Sequence, residues 1–142
     1  MGTYISKAGR HLSRNLKNIS LEHFIKGINK SEPSLIRTEA DELSYPLHII
    51  IRYEIEKMIF SGEADVDNLP QIWNKKYEEY LGLTPPTDTE GILQDTHWSY
   101  GEFGYFPSYA IGSAVAAQLY AKIKDVLPFE KYLREGNLTP IR

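Results

Sequence analysis

Apolar residues recur at three- and four-residue steps along much of the chain, a spacing that places them on one face of an α-helix. The strongest pattern ends at Gly62, because glycine is a common residue at helix C-termini. Pro46 lies inside the wider 37–60 span, where its missing N–H and its ring disfavour a continuous helix, so we expect a kink there or two helices that meet. The residues of this pattern are Leu47, Ile50, Ile51, Ile55, Met58 and Ile59.

Further helices are predicted where cap residues, early prolines or terminal glycines bound an apolar face. Small residues between Ala110 and Ala117 would let a neighbouring helix approach closely. Thr139 and Pro140 repeat a helix-start signal two residues before the chain stops, which suggests a truncated chain. No stretch alternates as a strand would, so the predicted fold class is all-α. The additional predicted helices span about 21–29, 69–81, 107–126 and 128–135.

The stretch from Gly91 to Tyr109 is the densest polar and aromatic segment of the protein. Its nineteen residues include one histidine, two acids, one tryptophan, three tyrosines and three glycines. Such a composition favours helix poorly and is costly to order. We therefore expect a binding site here rather than a scaffold.

The length and composition indicate one soluble domain. With 142 residues and 42% hydrophobic content, the chain can bury a single core. A net charge of −3 argues against nucleic-acid and membrane partners, and no apolar run is long enough to span a bilayer. The absence of cysteine excludes disulfides and thiolate metal sites and favours the cytoplasm. Residues 1–19 are weakly patterned and expected to be loosely held, whereas 20–142 form the helical part.

Three segments resemble, in order, the carboxypeptidase Taq family of zinc carboxypeptidases. Together they cover roughly residues 20–142, and the resemblance implies the C-terminal part of a larger, mostly helical peptidase fold of the HExxH type. The segments are Pro33 to Glu42, with Ile36-Arg37-Thr38-x-Ala40-Asp41; Tyr45 to Glu54, reading Tyr-Pro-Leu-His-Ile-Ile-Ile-Arg-Tyr-Glu; and Gly91-x-x-Gln94-Asp95-x-His97-Trp98, followed by Gly104-Tyr105-Phe106-Pro107.

The family's metal-binding motif is missing from this sequence. An HExxH zinc site needs two histidines four residues apart, and His11, His23, His48 and His97 are never so spaced. The upstream His-Pro-Phe and Asp-x-Arg-x-Thr motifs of the family are missing too. The resemblance thus implies zinc in the complete enzyme, no metal ligands in this chain, and a missing N-terminal part as partner. A homodimer is a further possible assembly.

His97 is the first candidate for catalysis by resemblance and by side-chain chemistry. It could donate a hydrogen bond near the scissile carbonyl, with Tyr105 or Tyr109 as a second donor. One such donor typically contributes roughly 3–4 kcal/mol to transition-state stabilisation. The alternative is a structural histidine beside Trp98 and tyrosines whose hydroxyls are tied to the backbone.

Arg37 is the candidate clamp for the terminal carboxylate of a peptide substrate, because a guanidinium binds carboxylates through two parallel hydrogen bonds. A structural ion pair with Glu39, Asp41 or another acid is the alternative. Consecutive acids rarely converge on a metal, so we expect Asp41 to act as a helix N-terminal acid or as a partner of arginine.

Four more residues are candidates for the substrate side. His48 and Arg52 are four apart and share a helix face that a site could use, although a buried structural histidine is an equal alternative. Gln94 is a candidate for substrate binding and, with Asp95, for bracing the loop. Asp95 is in addition a possible partner that orients a histidine.

The sequence therefore predicts the C-terminal, substrate-side portion of a zinc-dependent metallocarboxypeptidase that releases single residues from peptide C-termini. Alone, the chain is expected to be inactive. The alternative is a non-catalytic helical binding or scaffold module that kept the fold and lost the chemistry, and the missing HExxH motif favours it. The presence of Arg37, His97 and Tyr105 together argues against that alternative.

Overall fold

The computed structural model describes residues 18–141, and in that range the protein is helical without a β-strand. The predicted all-α fold class is confirmed. Short 3-10 turns lie between the helices at Arg37–Glu39, Val66–Asn68, Ile92–Gln94 and Trp98–Tyr100, and another follows the last helix at Thr139–Ile141. The helices are α1 (Leu21–Ile28), α2 (Tyr45–Ser61), α3 (Leu69–Leu81), α4 (Pro107–Val126) and α5 (Phe129–Glu135).

The chain divides into two compact units. One comprises residues 31–114, and the other, within the described range, comprises residues 18–30 together with 115–141. All candidate site residues belong to the first unit. The loosely held segment predicted for residues 1–19 falls, up to residue 17, outside the described residues.

Helix α2 begins later than the apolar pattern suggested. Residues 37–39 form a separate 3-10 turn, and Pro46 lies in the first turn of α2, where its missing N–H costs no hydrogen bond. The Asp41 carboxylate accepts the backbone N–H groups of Leu43 at 2.8 Å and Ser44 at 2.9 Å, just before the helix. These bonds satisfy amides that a helix start leaves without partners. The kink considered for Pro46 is therefore replaced by a helix start.

The core of the first unit forms where α2 packs on α3. Ile51 and Ile55 of α2 meet Trp73, Tyr77 and Leu81 of α3, and all five side chains are buried. Full burial of each such side chain stabilises the fold by roughly 1.5–3 kcal/mol. The bounds of α3 match the signals read from sequence, with a proline in the first turn and Gly82 at the C-terminus.

The second unit contains α1, α5 and the C-terminal half of α4. Ser20 caps α1, because its Oγ accepts the His23 N–H at 3.2 Å. Helix α5 begins at Phe129, one residue later than expected, and the Phe129 ring meets Tyr120 edge to face at 5.2 Å. Between residues 18 and 141, no helix is long and apolar enough to cross a membrane.

Candidate functional site

Asp95 lies between two buried arginines. Its carboxylate accepts hydrogen bonds from Arg37 Nε at 3.1 Å, Arg37 Nη2 at 2.7 Å and Arg52 Nε at 2.7 Å. The side chains of Arg37, Arg52 and Asp95 are only 8%, 0% and 11% exposed. Burial raises the pKa of Asp95, but hydrogen bonding to Arg37 and the charges of both arginines outweigh it, so the pKa lies below its ordinary value. The carboxylate is ionised at neutral pH.

Aromatic rings flank both guanidinium groups. The Arg52 Cζ lies 4.6 Å from the Trp73 ring centroid and 5.3 Å from that of Phe106. The Arg37 Cζ lies 5.6 Å from the Phe106 centroid and 5.1 Å from that of Tyr109. The cations are thus held by rings as well as by a carboxylate, and Phe106 contacts both of them.

Gln94 holds the same region together through its amide. Its Oε1 accepts the Arg37 backbone N–H and Arg52 Nη2, both at 2.9 Å. Its Nε2 donates to the carbonyl oxygens of Leu35 at 3.0 Å and Glu90 at 2.9 Å. The amide has therefore filled its hydrogen-bonding positions within the fold. Its contacts are those of a brace between the 91–95 segment, α2 and the turn at Arg37.

His97 lies in a cage of three aromatic rings. Its ring centroid is 4.4 Å from Phe106, 5.8 Å from Tyr105 and 5.9 Å from Tyr109. Its Nε2 shares a hydrogen bond of 3.0 Å with the Tyr109 hydroxyl. The Nδ1 atom is buried without a hydrogen-bond partner in the described chain and lies 3.9 Å from Asp95 Oδ1, beyond hydrogen-bonding distance. The structure thus brings together the three residues predicted to be catalytic.

Either His97 or Tyr109 can be the donor in the hydrogen bond that joins them. An imidazole nitrogen and a hydroxyl can each donate or accept. Partial burial and the neighbouring Tyr105 raise the pKa of Tyr109, so its hydroxyl keeps its proton at neutral pH. The pair can therefore offer one donor to a third group while the other partner orients it. The Tyr105 side chain is 49% exposed and presents a further hydroxyl at the same place.

His48 and Asp41 lie apart from that aromatic cage. His48 is completely buried on α2, where its Nδ1 and the Tyr77 hydroxyl hydrogen-bond at 3.1 Å. Burial first, and then the charges of Arg52 and Arg37, lower its pKa to about 4, so the imidazole is neutral. Asp41 holds backbone N–H groups before α2, chiefly that of Ser44, and these lower its pKa to about 2.

Glu56 is a further buried acid that the sequence analysis did not select. It is 4% exposed, its Oε1 accepts the indole N–H of Trp98 at 2.8 Å, and its Oε2 accepts the Gly104 backbone N–H at 3.0 Å. An acid one turn after Arg52, on the same face of α2, is the signal that could have revealed it. Tyr45 was missed as well, although its hydroxyl accepts a hydrogen bond from Arg37 Nη1 at 3.1 Å.

Between residues 18 and 141, the histidines and acids are not arranged as a zinc site. The sequence contains no HExxH motif, and among residues 18–141 no three histidines or acids converge in a way that could hold a metal ion. The two acids at the centre of the fold are bound by arginines, an indole and a backbone amide instead.

Comparisons with known proteins agree on one family. The family described as carboxypeptidase Taq (M32) metallopeptidase matches residues 2–142. Carboxypeptidase 1 of Bacillus subtilis is 61% identical over 127 residues, covering 89% of this chain and 25% of that protein. Thermostable carboxypeptidase 1 of Thermus thermophilus is 43% identical over 132 residues, covering 92% of this chain and 26% of that protein.

Solved structures give the same result. The BsuCP crystal structure superimposes with a TM-score of 0.89 at 57% identity, over 97% of this chain and 28% of that one. The carboxypeptidase of Pyrococcus furiosus gives a TM-score of 0.85 at 40% identity, over 92% of this chain and 27% of that one. The chain thus spans about a quarter of the length of these relatives. By sequence and by fold, it belongs to the carboxypeptidase Taq (M32) metallopeptidase family.

Proposed function

We propose that this chain is the substrate-side part of a zinc-dependent metallocarboxypeptidase that releases single residues from peptide C-termini. The observation that carries the proposal is the cage in which His97 meets Tyr105 and Tyr109, next to the Asp95 ion pairs with two buried arginines. Hydrolysis of a peptide bond develops an oxyanion, which hydrogen-bond donors stabilise. The substrate of a carboxypeptidase also ends in a carboxylate, which a cation can bind.

In this proposal His97 and Tyr109 act together as the oxyanion donor. Their 3.0 Å hydrogen bond fixes the imidazole against the phenol, and Phe106 packs against the imidazole ring. A preorganised donor of this kind acts mainly on the transition state, because charge develops on the carbonyl oxygen only there. Tyr105 stacks on His97 and is the alternative second donor.

Arg37 is proposed to bind the substrate's terminal carboxylate. A guanidinium has five N–H bonds. Three of those in Arg37 donate to Asp95 and Tyr45, through Nε, Nη1 and Nη2. Two N–H bonds are left without a partner in residues 18–141, and a bidentate contact with a carboxylate uses two. The Asp95 contact would keep the guanidinium in place for such a contact.

The metal chemistry belongs, in this proposal, to a part of the enzyme outside these 142 residues. The family consists of metallopeptidases, and the complete enzyme is proposed to use zinc bound by an HExxH segment. Residues 20–142 then form the substrate-side fragment, and the chain alone is proposed to be inactive.

A chimaeric enzyme tests the proposal. The segment of Bacillus subtilis carboxypeptidase 1 that matches this chain would be replaced by the corresponding residues of this chain. The chimaera should release the last residue of peptides with a free C-terminus and leave amidated peptides intact. A chimaera that folds and binds zinc but releases nothing would contradict the proposal and favour a helical scaffold module.

A further inference from the structure

The Glu56 carboxylate joins α2 to both ends of the 98–104 segment. Trp98 and Gly104 are 42 and 48 residues away in sequence, yet each donates to a different oxygen of the same carboxylate. Trp98 directly follows His97, and Gly104 directly precedes Tyr105. One side chain thus holds the two residues adjacent to the candidate donors, whose rings stack with centroids 5.8 Å apart.

Local backbone hydrogen bonds and aromatic contacts also define the course of this segment, among them the Phe103 ring, which meets Phe60 of α2 edge to face at 5.4 Å. Beyond the turn at Trp98–Tyr100, the Glu102 N–H donates to the His97 carbonyl at 2.9 Å. Gly104 has φ +77°, a conformation that side-chain-bearing residues rarely adopt, and its N–H donates to Glu56. The turn at Gly104 therefore directs its N–H to the Glu56 carboxylate. Aromatic contacts of Trp98 with Trp73 at 6.0 Å and Phe103 at 6.2 Å are less directional.

Both oxygens of the buried Glu56 carboxylate have hydrogen-bond partners. The side chain is 4% exposed, and its oxygens accept the Trp98 indole N–H and the Gly104 backbone N–H. Burying a carboxyl group is costly unless it is hydrogen-bonded, so these two N–H groups allow the acid to occupy this place. Glu56 thus binds the 98–104 segment, while Arg52, one turn earlier on α2, binds Asp95.

We propose that Glu56 is the positioning residue that sets the relative placement of His97 and Tyr105, by anchoring Trp98 and Gly104 to α2. This rests on the proposed function only where it concerns catalysis; the anchoring itself is a property of the chain. Glu56→Gln has the same size, but its amide nitrogen faces an N–H donor, so one of the two hydrogen bonds is lost.

The first measurement uses the 142-residue chain. Its two tryptophans give two indole N–H signals in an NMR spectrum, and Trp98→Phe identifies one of them. In Glu56→Gln the Trp98 indole signal should shift, and the nuclear Overhauser contact between the His97 and Tyr105 rings should weaken or disappear. Glu54→Gln is the matched control, because Glu54 lies on the same helix but binds Lys76 and Tyr80. It should keep the ring contact.

The second measurement uses the chimaera described above. There Glu56→Gln should lower kcat on the order of 10²-fold with KM little changed, as expected when reacting groups are displaced by about 1 Å. Glu54→Gln should keep the parental kcat. An intact His97–Tyr105 contact in Glu56→Gln would overturn the proposal. If that variant does not fold, Trp98→Phe, which removes one of the two bonds, must weaken the contact. An inactive parent chimaera would refute the proposed function and leave the NMR result to decide on Glu56.

Discussion

Replacing Asp95 by alanine should destabilise the first unit strongly. The change removes the acceptor of both Arg37 and Arg52, whose side chains are 8% and 0% exposed. Arg52 keeps its bonds to the His48 carbonyl and Gln94, and Arg37 keeps its bond to Tyr45. Two guanidinium groups would then remain buried without a carboxylate.

The magnitude follows from the burial of the pair. Removing one partner of a buried ion pair typically costs about 3–5 kcal/mol, because the other charge stays out of water without compensation. We expect the upper half of that range, since one substitution leaves two charges. With a urea dependence of about 2 kcal/mol per molar, the unfolding midpoint should fall by about 2 M.

Equilibrium urea unfolding, followed by tryptophan fluorescence, measures this shift. Trp73 packs beneath Arg52, so its emission reports on the same region. Lys76→Met is the control, because the Lys76–Glu54 pair is 21% and 33% exposed and such pairs contribute about 1 kcal/mol or less. Asp95→Asn, which keeps an acceptor oxygen but no charge, should fall between the two. If Asp95→Ala cost no more than Lys76→Met, the account of the buried arginines would be wrong.

Three further outcomes are expected. Burial and the charges of Arg52 and Arg37 lower the pKa of His48 to about 4, whereas in the unfolded chain it is about 6.5. Between these two pH values the unfolded chain binds more protons than the folded one, so the urea midpoint should fall as the pH drops through this window. The fall should be less steep for His48→Gln. Gly104→Ala should cost about 1–2 kcal/mol in the same assay, because its φ is +77°. The dialysed chain should not retain stoichiometric zinc in metal analysis, and binding at micromolar affinity or better would contradict the assignment of the ligands to a missing segment.

Local signals in the sequence were sufficient for most of the helices. Proline in the first turn and glycine after the last residue bound α3, and Pro107 opens α4, because these residues act within one turn of their own position. The start of α2 was not predictable in this way. It depends on hydrogen bonds that the Leu43 and Ser44 amides donate to the Asp41 carboxylate, which the apolar pattern of the 37–60 span conceals.

The sequence identified most residues of the site, but it did not show which of them contact each other. Family motifs selected Arg37, Gln94, Asp95 and His97, but the Arg37–Asp95 contact joins residues 58 apart, and only the packed fold determines it. Asp95 was considered as a partner that orients a histidine; its carboxylate accepts hydrogen bonds from two arginines and lies 3.9 Å from His97 Nδ1, so that role stays a prediction. Glu56 belongs to no quoted motif and was missed. The cytoplasmic location, the homodimer and the catalytic roles stay predictions.

The most direct test of the central claim is the kinetic effect of His97→Ala in the chimaera, measured beside Tyr109→Phe. The account predicts that His97→Ala lowers kcat and kcat/KM together by about 10²–10³-fold, because the donor acts on the transition state. Tyr109→Phe should share part of this loss, since the two side chains are joined by a 3.0 Å hydrogen bond. A kcat for His97→Ala within about threefold of the parent would contradict the claim and make His97 a structural residue.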